Sequence, residues 1–277
     1  MLLAIAVLTV GANSPVRKPL AVLRAYDDGL VTAVRGTIGT RTLLFDLDTG
    51  ATHSFVDRAV VKERRLPVLG TTQIHGAGKG GVAALRLGRF VIALESARFP
   101  VANGLSIPFQ GVGSAIDEQG LLGFDFYSRY VVYLNYDDRS VALYARESYV
   151  YRGSGIAVPL VLQPPRAFVY VTVSAPGVKA ERHLLRLDTG SSDAVDDDIV
   201  LRSSEPKKAI EGGVGIGSRF KTYLGTVSEL RVGPFRLHDL PSATGGVQLI
   251  GDAVWRRFNV VFDFSRSRMY LTPRSHD

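Results

Sequence analysis

The sequence contains no cysteine among its 277 residues. A disulfide, a thiolate-bound metal, a cysteine nucleophile and a lipid anchor on cysteine are therefore excluded. Long apolar runs are also scarce, and 29 glycines and 13 prolines interrupt the chain, which favours many short strands and turns over long helices. Because 46% of the residues are hydrophobic and 21% are charged, we predict a globular, mostly β protein with a substantial core.

Basic residues outnumber acidic ones by 33 to 26, which gives a formal net charge of +7. Clusters such as 62-KERR-65 are typical of a solvated surface, because no aromatic residues alternate with the basic ones as they do in a nucleic-acid groove. The five histidines do not have the spacing of metal ligands. We therefore expect no nucleic-acid partner, no metal and no cofactor. The acidic run at 196–198 is also expected to be solvated.

The N-terminal segment 2-LLAIAVLTVGA-12 is apolar but too short to span a bilayer. It resembles the apolar part of a secretory signal, with a small-residue cleavage site at 10–12, although no basic residue precedes it. We expect residues 1–19 to be a signal peptide, the protein to be periplasmic or secreted, and no stable membrane insertion. The alternative is a cytoplasmic protein in which this segment forms a first strand.

Two segments of the chain contain the same triplet, Asp-Thr-Gly. They are 43-LLFDLDTGATHSFV-56 and 184-LLRLDTGSSDAV-195. Each is followed by a Leu-Arg-apolar-Gly-x-Phe element, at 85–90 and 230–235. An apolar-apolar-Gly element then follows in both cases. Three landmarks in one order indicate an internal duplication.

The duplication predicts two similar lobes, residues 20–146 and residues 153–277, joined by a linker at 147–152. The apolar-apolar-Gly elements are Leu121-Leu122-Gly123 and Leu249-Ile250-Gly251. Short helices are expected after each triplet and around Asp125–Tyr130 and Ala253–Phe258. Because both triplets lie in one chain, we expect a monomer.

The first triplet also fits another pattern, since Asp46-x-Asp48 is similar to the nucleophile loop of a haloacid dehalogenase-type phosphatase. The second copy does not support that interpretation, because it has Arg186 in place of the first aspartate. The phosphatase fold would also require helices that alternate with strands. Strand alternation places Asp46 and Arg186 on the same side as the aspartate that follows each, where they could alter its electrostatics.

Two such turns that meet about a pseudo-two-fold axis would bring Asp48 and Asp188 together. Two carboxylates at close range cannot both ionise, so they share a proton. The ionised partner can activate a water molecule while the protonated partner donates to a substrate carbonyl oxygen. This combination hydrolyses a peptide bond at mildly acidic pH, roughly 4–6.

The other residues of the two turns have supporting roles. The threonine hydroxyls can hold one turn against the other, and the glycines permit a close backbone approach. A serine after the second triplet could donate a hydrogen bond to Asp188. These residues are Thr49, Gly50, Thr189, Gly190 and Ser191.

The chain resembles the aspartic proteases of the pepsin and retropepsin superfamily, in particular bacterial members with two retropepsin-like units in one chain. The sequence at 48–52 is retropepsin-like, the sequence at 188–192 is pepsin-like, and the apolar-apolar-Gly elements match strands of that family. The resemblance implies a bilobal acid-protease fold with two β-barrel-like lobes and a central cleft, and endopeptidase activity on an extended peptide or protein substrate. The candidate flap, Pro67 to Ala84, lacks the tyrosine of pepsin-like enzymes. A non-catalytic bilobal peptide-binding protein is the alternative.

Two glycine-rich stretches follow the triplets, 76-GAGKGG-81 and 212-GGVGIGS-218. The first is not a phosphate-binding loop, because Lys79 is followed by glycine and not by serine or threonine. We expect both to be mobile hairpins over the cleft, and plain surface hairpins are the alternative. The candidate substrate-binding residues are Gly76, Gly78, Gly213 and Gly215.

Overall fold

The structure is a computed structural model that describes residues 18–76, 78–109, 117–212 and 216–275. It is mostly β, as the sequence predicts, and its helices are four to seven residues long. Residues 1–17 of the expected signal peptide lie outside the described residues. None of the helices in the described ranges has the length and apolar character needed to cross a membrane.

Within the described residues, 22 strands are connected by one continuous set of pairings. The first twelve are β1 (Ala21–Asp27), β2 (Thr32–Ile38), β3 (Arg41–Leu47), β4 (Phe55–Asp57), β5 (Val68–Ile74), β6 (Val82–Leu87), β7 (Phe90–Leu94), β8 (Ala97–Val101), β9 (Leu105–Ile107), β10 (Gly120–Leu122), β11 (Tyr130–Asn135) and β12 (Ser140–Ala145). The others are β13 (Ile156–Gln163), β14 (Arg166–Ala175), β15 (Val178–Asp188), β16 (Val195–Asp196), β17 (Lys208–Gly212), β18 (Phe220–Val232), β19 (Phe235–Thr244), β20 (Leu249–Gly251), β21 (Phe258–Asp263) and β22 (Arg268–Pro273).

The helices lie where the sequence predicts short ones. They are α1 (Arg58–Arg64), α2 (Phe124–Tyr127), α3 (Ile199–Arg202) and α4 (Asp252–Trp255), and a 3₁₀ turn covers Phe264–Arg266. Helix α1 begins where the Asp57 side chain accepts a hydrogen bond from the Ala59 amide, which satisfies an amide that has no partner within the helix.

The same three-strand arrangement occurs twice. Strand β10 runs parallel to β3 and antiparallel to β4. Strand β20 likewise runs parallel to β15 and antiparallel to β16. In each case the apolar-apolar-Gly element lies beside the strand that precedes an Asp-Thr-Gly triplet. The matched landmarks of the sequence therefore have matched positions in the fold.

A six-stranded antiparallel arrangement joins the early and late parts of the chain, in the order β1, β12, β11, β21, β22, β13. At its centre β11 pairs with β21, with Leu134 opposite Val260 and Val132 opposite Phe262. One hydrophobic core contains buried residues from both parts, among them the fully buried Phe126 and Trp255. This core holds the strands that carry the two triplets in fixed positions.

Candidate functional site

Alternate residues of the strand that precedes the first triplet point toward the core and away from it. In β3, Leu43, Phe45 and Leu47 are buried in the core, while Asp46 and the following Asp48 lie half-buried on the opposite side. The same pattern recurs in β15, where Leu185 and Leu187 are buried in the core. Each aspartate therefore lies at the carboxyl end of a buried strand, facing away from the core.

Threonine side chains hold the two turns together. The Thr49 amide donates to Oγ1 of Thr189 at 3.0 Å, and the Thr189 amide donates to Oγ1 of Thr49 at 2.9 Å. The Thr189 hydroxyl also donates to the carbonyl of Leu47 at 2.5 Å. Both threonines are almost fully buried, so these bonds replace hydration that the groups have lost. The prediction that the threonines join the turns is confirmed.

The two glycines give room to the opposite carboxyl groups. A methyl group added at Gly50 would collide with the Asp188 carboxyl, and one added at Gly190 would collide with the Asp48 carboxyl. Each aspartate therefore lies against the turn that carries the other. The sequence-predicted pair is brought together across the two halves of the chain.

Asp48 is held by its own turn. Its Oδ1 accepts hydrogen bonds from the amides of Gly50 at 2.8 Å and Ala51 at 2.9 Å. Those bonds, together with the positive charge of Arg186, favour the ionised form. Burial and the neighbouring Asp188 carboxylate oppose them more strongly and raise the pKa of Asp48 to about 7. Asp48 therefore retains a proton through the acidic range.

Asp188 is paired with a cation. Nη2 of Arg186 donates to its Oδ2 at 2.5 Å, and the side chains are only 12% and 8% exposed. The expected donor was Ser191, whose hydroxyl instead accepts from the Asp193 amide at 3.3 Å. Among the described residues, the side chain that donates to the Asp188 carboxylate is Arg186. This contact places a fixed positive charge against the Asp188 carboxyl, in a charge-assisted hydrogen bond.

Asp46, the counterpart of Arg186, has different surroundings. Its Oδ1 is buried and has no hydrogen-bond partner within the part of the chain that the structure describes. Burial, followed by the charges of Asp48 and Glu118, raises the pKa of Asp46 well above its usual range. Two positions that are equivalent in the repeats therefore hold a guanidinium on one side of the pair of aspartates and an acid that retains its proton on the other.

A cleft of about 880 Å³ lies above the two aspartates, within the size range of small-molecule and peptide sites. Both parts of the chain line it, and apolar side chains account for much of its wall. These include Leu105, Phe109, Ile210, Phe220 and Leu249.

The glycine-rich hairpin tips meet over this cleft. The Gly78 amide donates to the Ile216 carbonyl at 2.9 Å, and Lys79 and Ser218 exchange two backbone hydrogen bonds at 2.9 and 2.8 Å. Gly76 lies so close to Ile216 that a methyl group there would collide with its side chain. Gly213 and Gly215, the two candidate residues of the second hairpin, lie outside the described residues.

Two residues of the acidic run after the second triplet, Asp196 and Asp197, are buried, contrary to the expectation, whereas Asp198 is exposed as expected. Asp196 lines the cleft and is 8% exposed, while Asp197 is fully buried and accepts hydrogen bonds from His183 at 2.6 Å and the Ile199 amide at 2.7 Å. Burial and the nearby Asp193 carboxyl raise the pKa of Asp196 to about 7. The helix and strand contacts that bury these side chains are long-range, so a run of three charges in sequence gave no sign of them.

Across the described residues, no group of three or more histidine or acidic side chains is arranged to hold a metal ion. Comparison of the chain with protein-family models and with curated proteins found no match.

Proposed function

We propose that the protein is an aspartic endopeptidase in which a water molecule between Asp48 and Asp188 attacks a peptide carbonyl. The observation that carries the proposal is the reciprocal placement of the two carboxyls, each against the glycine of the other triplet. The threonine hydrogen bonds fix that placement without help from a ligand. In the same proposal, the chain has the bilobal acid-protease architecture, with the cleft between two similar lobes.

The unequal surroundings of the two carboxyls support a division of roles. Asp188, paired with Arg186, is the ionised partner that takes a proton from water. Asp48, whose pKa is raised to about 7, is the protonated partner that donates to the substrate carbonyl oxygen. The product of attack is a tetrahedral intermediate with two hydroxyl groups on one carbon. In its collapse Asp48 takes a proton back from one hydroxyl, Asp188 gives the proton from water to the amide nitrogen, and the C–N bond breaks to leave a carboxylic acid and an amine. The pair titrates as a unit, so its pH limits belong to both groups.

The cleft and hairpins support an extended peptide as the substrate. An extended chain can pair its backbone groups with strand edges while alternate side chains enter pockets. The two hairpin tips, joined by backbone hydrogen bonds, would cover a peptide that lies across the aspartates and keep bulk water away from it. In this proposal the two tips separate to let an extended peptide enter and then close over it.

The proposal is tested with Asp48→Asn and Asp188→Asn, each of which keeps the shape of the side chain. Both variants should fold and should lose at least about 10³-fold in kcat/KM on a peptide mixture, because one carboxyl cannot act as both acid and base. A peptide with a hydroxyl-bearing tetrahedral carbon at the scissile position should bind the wild type tightly. Near-normal turnover by either folded variant would contradict the proposal. Peptide binding without cleavage by the wild type would indicate the non-catalytic alternative.

A further inference from the structure

The positions two residues before the paired aspartates are equivalent in the repeats, and both line the cleft. The charge of Arg186 is paired inside the protein, because its guanidinium lies 2.5 Å from the Asp188 carboxyl. Asp46 has no such partner among the described residues, and its Oδ1 is buried. Because Asp46 lines the cleft and is only partly buried, its carboxyl can meet a ligand group, and a donor supplied there gains affinity from an acceptor that the protein leaves unpaired.

The charges around Asp46 define which donor fits. The titratable groups that act on it are the carboxyls of Asp48, Glu118, Asp252 and Asp188. Burial is the largest cause of the raised pKa of Asp46, and these four carboxyls add to it. The buried Tyr127 hydroxyl also interacts with Asp46, while the cation of the cluster, Arg186, is paired with Asp188. A cationic donor is favoured over a neutral one because it can pair with the Asp46 carboxylate once that group has released its proton, whereas a neutral donor gains only a hydrogen bond.

The position of Asp46 defines where that donor lies in a substrate. Asp46 and Asp48 face the same side of one extended segment, separated by two residues and thus by about 6.6 Å along the strand. A long side chain on a residue next to the bond held at Asp48 spans that distance. Resting on the proposed function, we infer that Asp46 forms a subsite that selects a lysine or arginine side chain adjacent to the scissile bond.

The test uses pairs of peptides that differ in one atom of one side chain. A peptide library first gives the cleavage sites, and matched peptides then carry arginine or citrulline, its neutral isostere, beside the scissile bond. We expect the wild type to prefer arginine by at least about tenfold in kcat/KM, because a charged hydrogen bond replaces a neutral one. Asp46→Asn should reduce that ratio to about one.

The matched control is Glu211→Gln. Glu211 is also an acidic residue of the cleft, but it is exposed and lies 3.7 Å from Arg219. This variant should keep the arginine preference. A wild-type ratio near one, or a ratio that Asp46→Asn leaves unchanged, would overturn the inference while the proposed function stands.

A second measurement does not depend on turnover. Peptides with a hydroxyl at the scissile position, made with arginine or citrulline beside it, are titrated into wild type and Asp46→Asn by calorimetry in buffers of different ionisation enthalpy. The arginine peptide should release a proton from Asp46 in the wild type, and its advantage over citrulline should grow as pH rises. An advantage that does not change with pH and survives in Asp46→Asn would place the cation elsewhere. If wild type cuts no peptide, the proposed function fails and this inference fails with it.

Discussion

At the residue scale, the two aspartates differ in what balances their charge. Asp188 is paired with a guanidinium, and Asp48 with two backbone amides. The arginine has a fixed positive charge at any pH that the protein survives, and this charge favours the ionised form of Asp48 as well as pairing with Asp188. Arg186 is therefore a positioning residue for the proposed reaction, although it does not touch the reacting atoms itself.

Replacement of Arg186 should move the basic limit of activity upward. In Arg186→Gln, Asp48 loses the positive charge that favours its ionised form and releases its proton less easily, so the basic limit of kcat/KM should rise by about one pH unit. Arg186→Lys should restore part of the wild-type profile. Arg166→Gln, which changes another arginine of the cleft, should leave the limits in place. An unchanged basic limit in Arg186→Gln would show that the arginine does not tune Asp48.

The raised pKa of Asp48 predicts a pH-dependent stability change. The folded protein binds this proton up to about pH 7, whereas an unfolded chain releases it near pH 3.9. The stabilisation from proton binding is thus complete below about pH 4 and is lost as pH rises through about 7. We expect Asp48→Asn to be more stable than wild type by ~1–3 kcal/mol at pH 8, with little difference at pH 4.

Urea unfolding at the two pH values measures that difference. Glu63→Gln, at an exposed residue 3.8 Å from Arg41, is the control and should change stability little at either pH. Equal stability of Asp48→Asn and wild type at pH 8 would mean that the Asp48 carboxyl does not carry an unfavourable charge in the folded state.

At the scale of elements, the two turns depend on hydrogen bonds that are not symmetric. The Thr189 hydroxyl both accepts from the Thr49 amide and donates to the Leu47 carbonyl. The Thr49 hydroxyl accepts from the Thr189 amide. Loss of the Thr189 hydroxyl therefore leaves two buried backbone groups without partners, and loss of the Thr49 hydroxyl leaves one.

We expect Thr189→Val to cost about 2–4 kcal/mol of unfolding free energy and Thr49→Val about 1–3 kcal/mol, since each valine keeps the shape and removes the hydrogen bonds. Thr42→Val, at an exposed position of β3, should fall within about 0.5 kcal/mol of wild type. Chemical denaturation of the three variants measures the loss of unfolding free energy in each and so ranks them. A smaller loss for Thr189→Val than for Thr49→Val would contradict the hydrogen-bond assignment.

The contact between the two hairpin tips can be tested by a substitution at Gly78. A methyl group there would lie 2.6 Å from the backbone of Gly217, so Gly78→Ala should separate the tips. The Lys79 and Ser218 amides should then exchange hydrogen faster, and kcat/KM should fall by at least about tenfold as substrate positioning is lost. Lys79→Ala should keep the amides protected, because the bonds at this residue are made by its backbone. Unchanged exchange in Gly78→Ala would show that the contact is not maintained in solution.

At the scale of the whole molecule, the features that recur in the two halves of the chain could be predicted from the sequence. Individual side-chain contacts could not. The paired triplets, the β class, and the helices near Asp125–Tyr130 and Ala253–Phe258 followed from local pattern. Strand alternation placed Arg186 on the same side as Asp188, but the ion pair itself depends on a rotamer, and Asp197 is buried where His183 of another strand contacts it. Side-chain direction and long-range contacts of that kind leave no periodic signal in one sequence.

Under the proposed function, the protein should be active as a monomer. Both triplets and both hairpins belong to one polypeptide, and β11 pairs with β21 inside it. We expect sedimentation of the active protein to give a monomer of about 30.0 kDa, less any N-terminal segment that is removed. Specific activity should not change on dilution. A steep loss of activity on dilution would indicate that a second copy completes the site.

Because the two turns lie in one chain, the residues beside the paired aspartates are free to differ. An enzyme assembled from two identical subunits has the same residue at both positions. Two copies of Arg186 would pull both carboxyls toward ionisation, and two copies of Asp46 would crowd four carboxyls into one site. Covalent joining of the halves breaks that symmetry. It permits one cation to lie against Asp188 while Asp48 keeps its proton, so that in the proposed reaction the acid and the base differ before any substrate arrives.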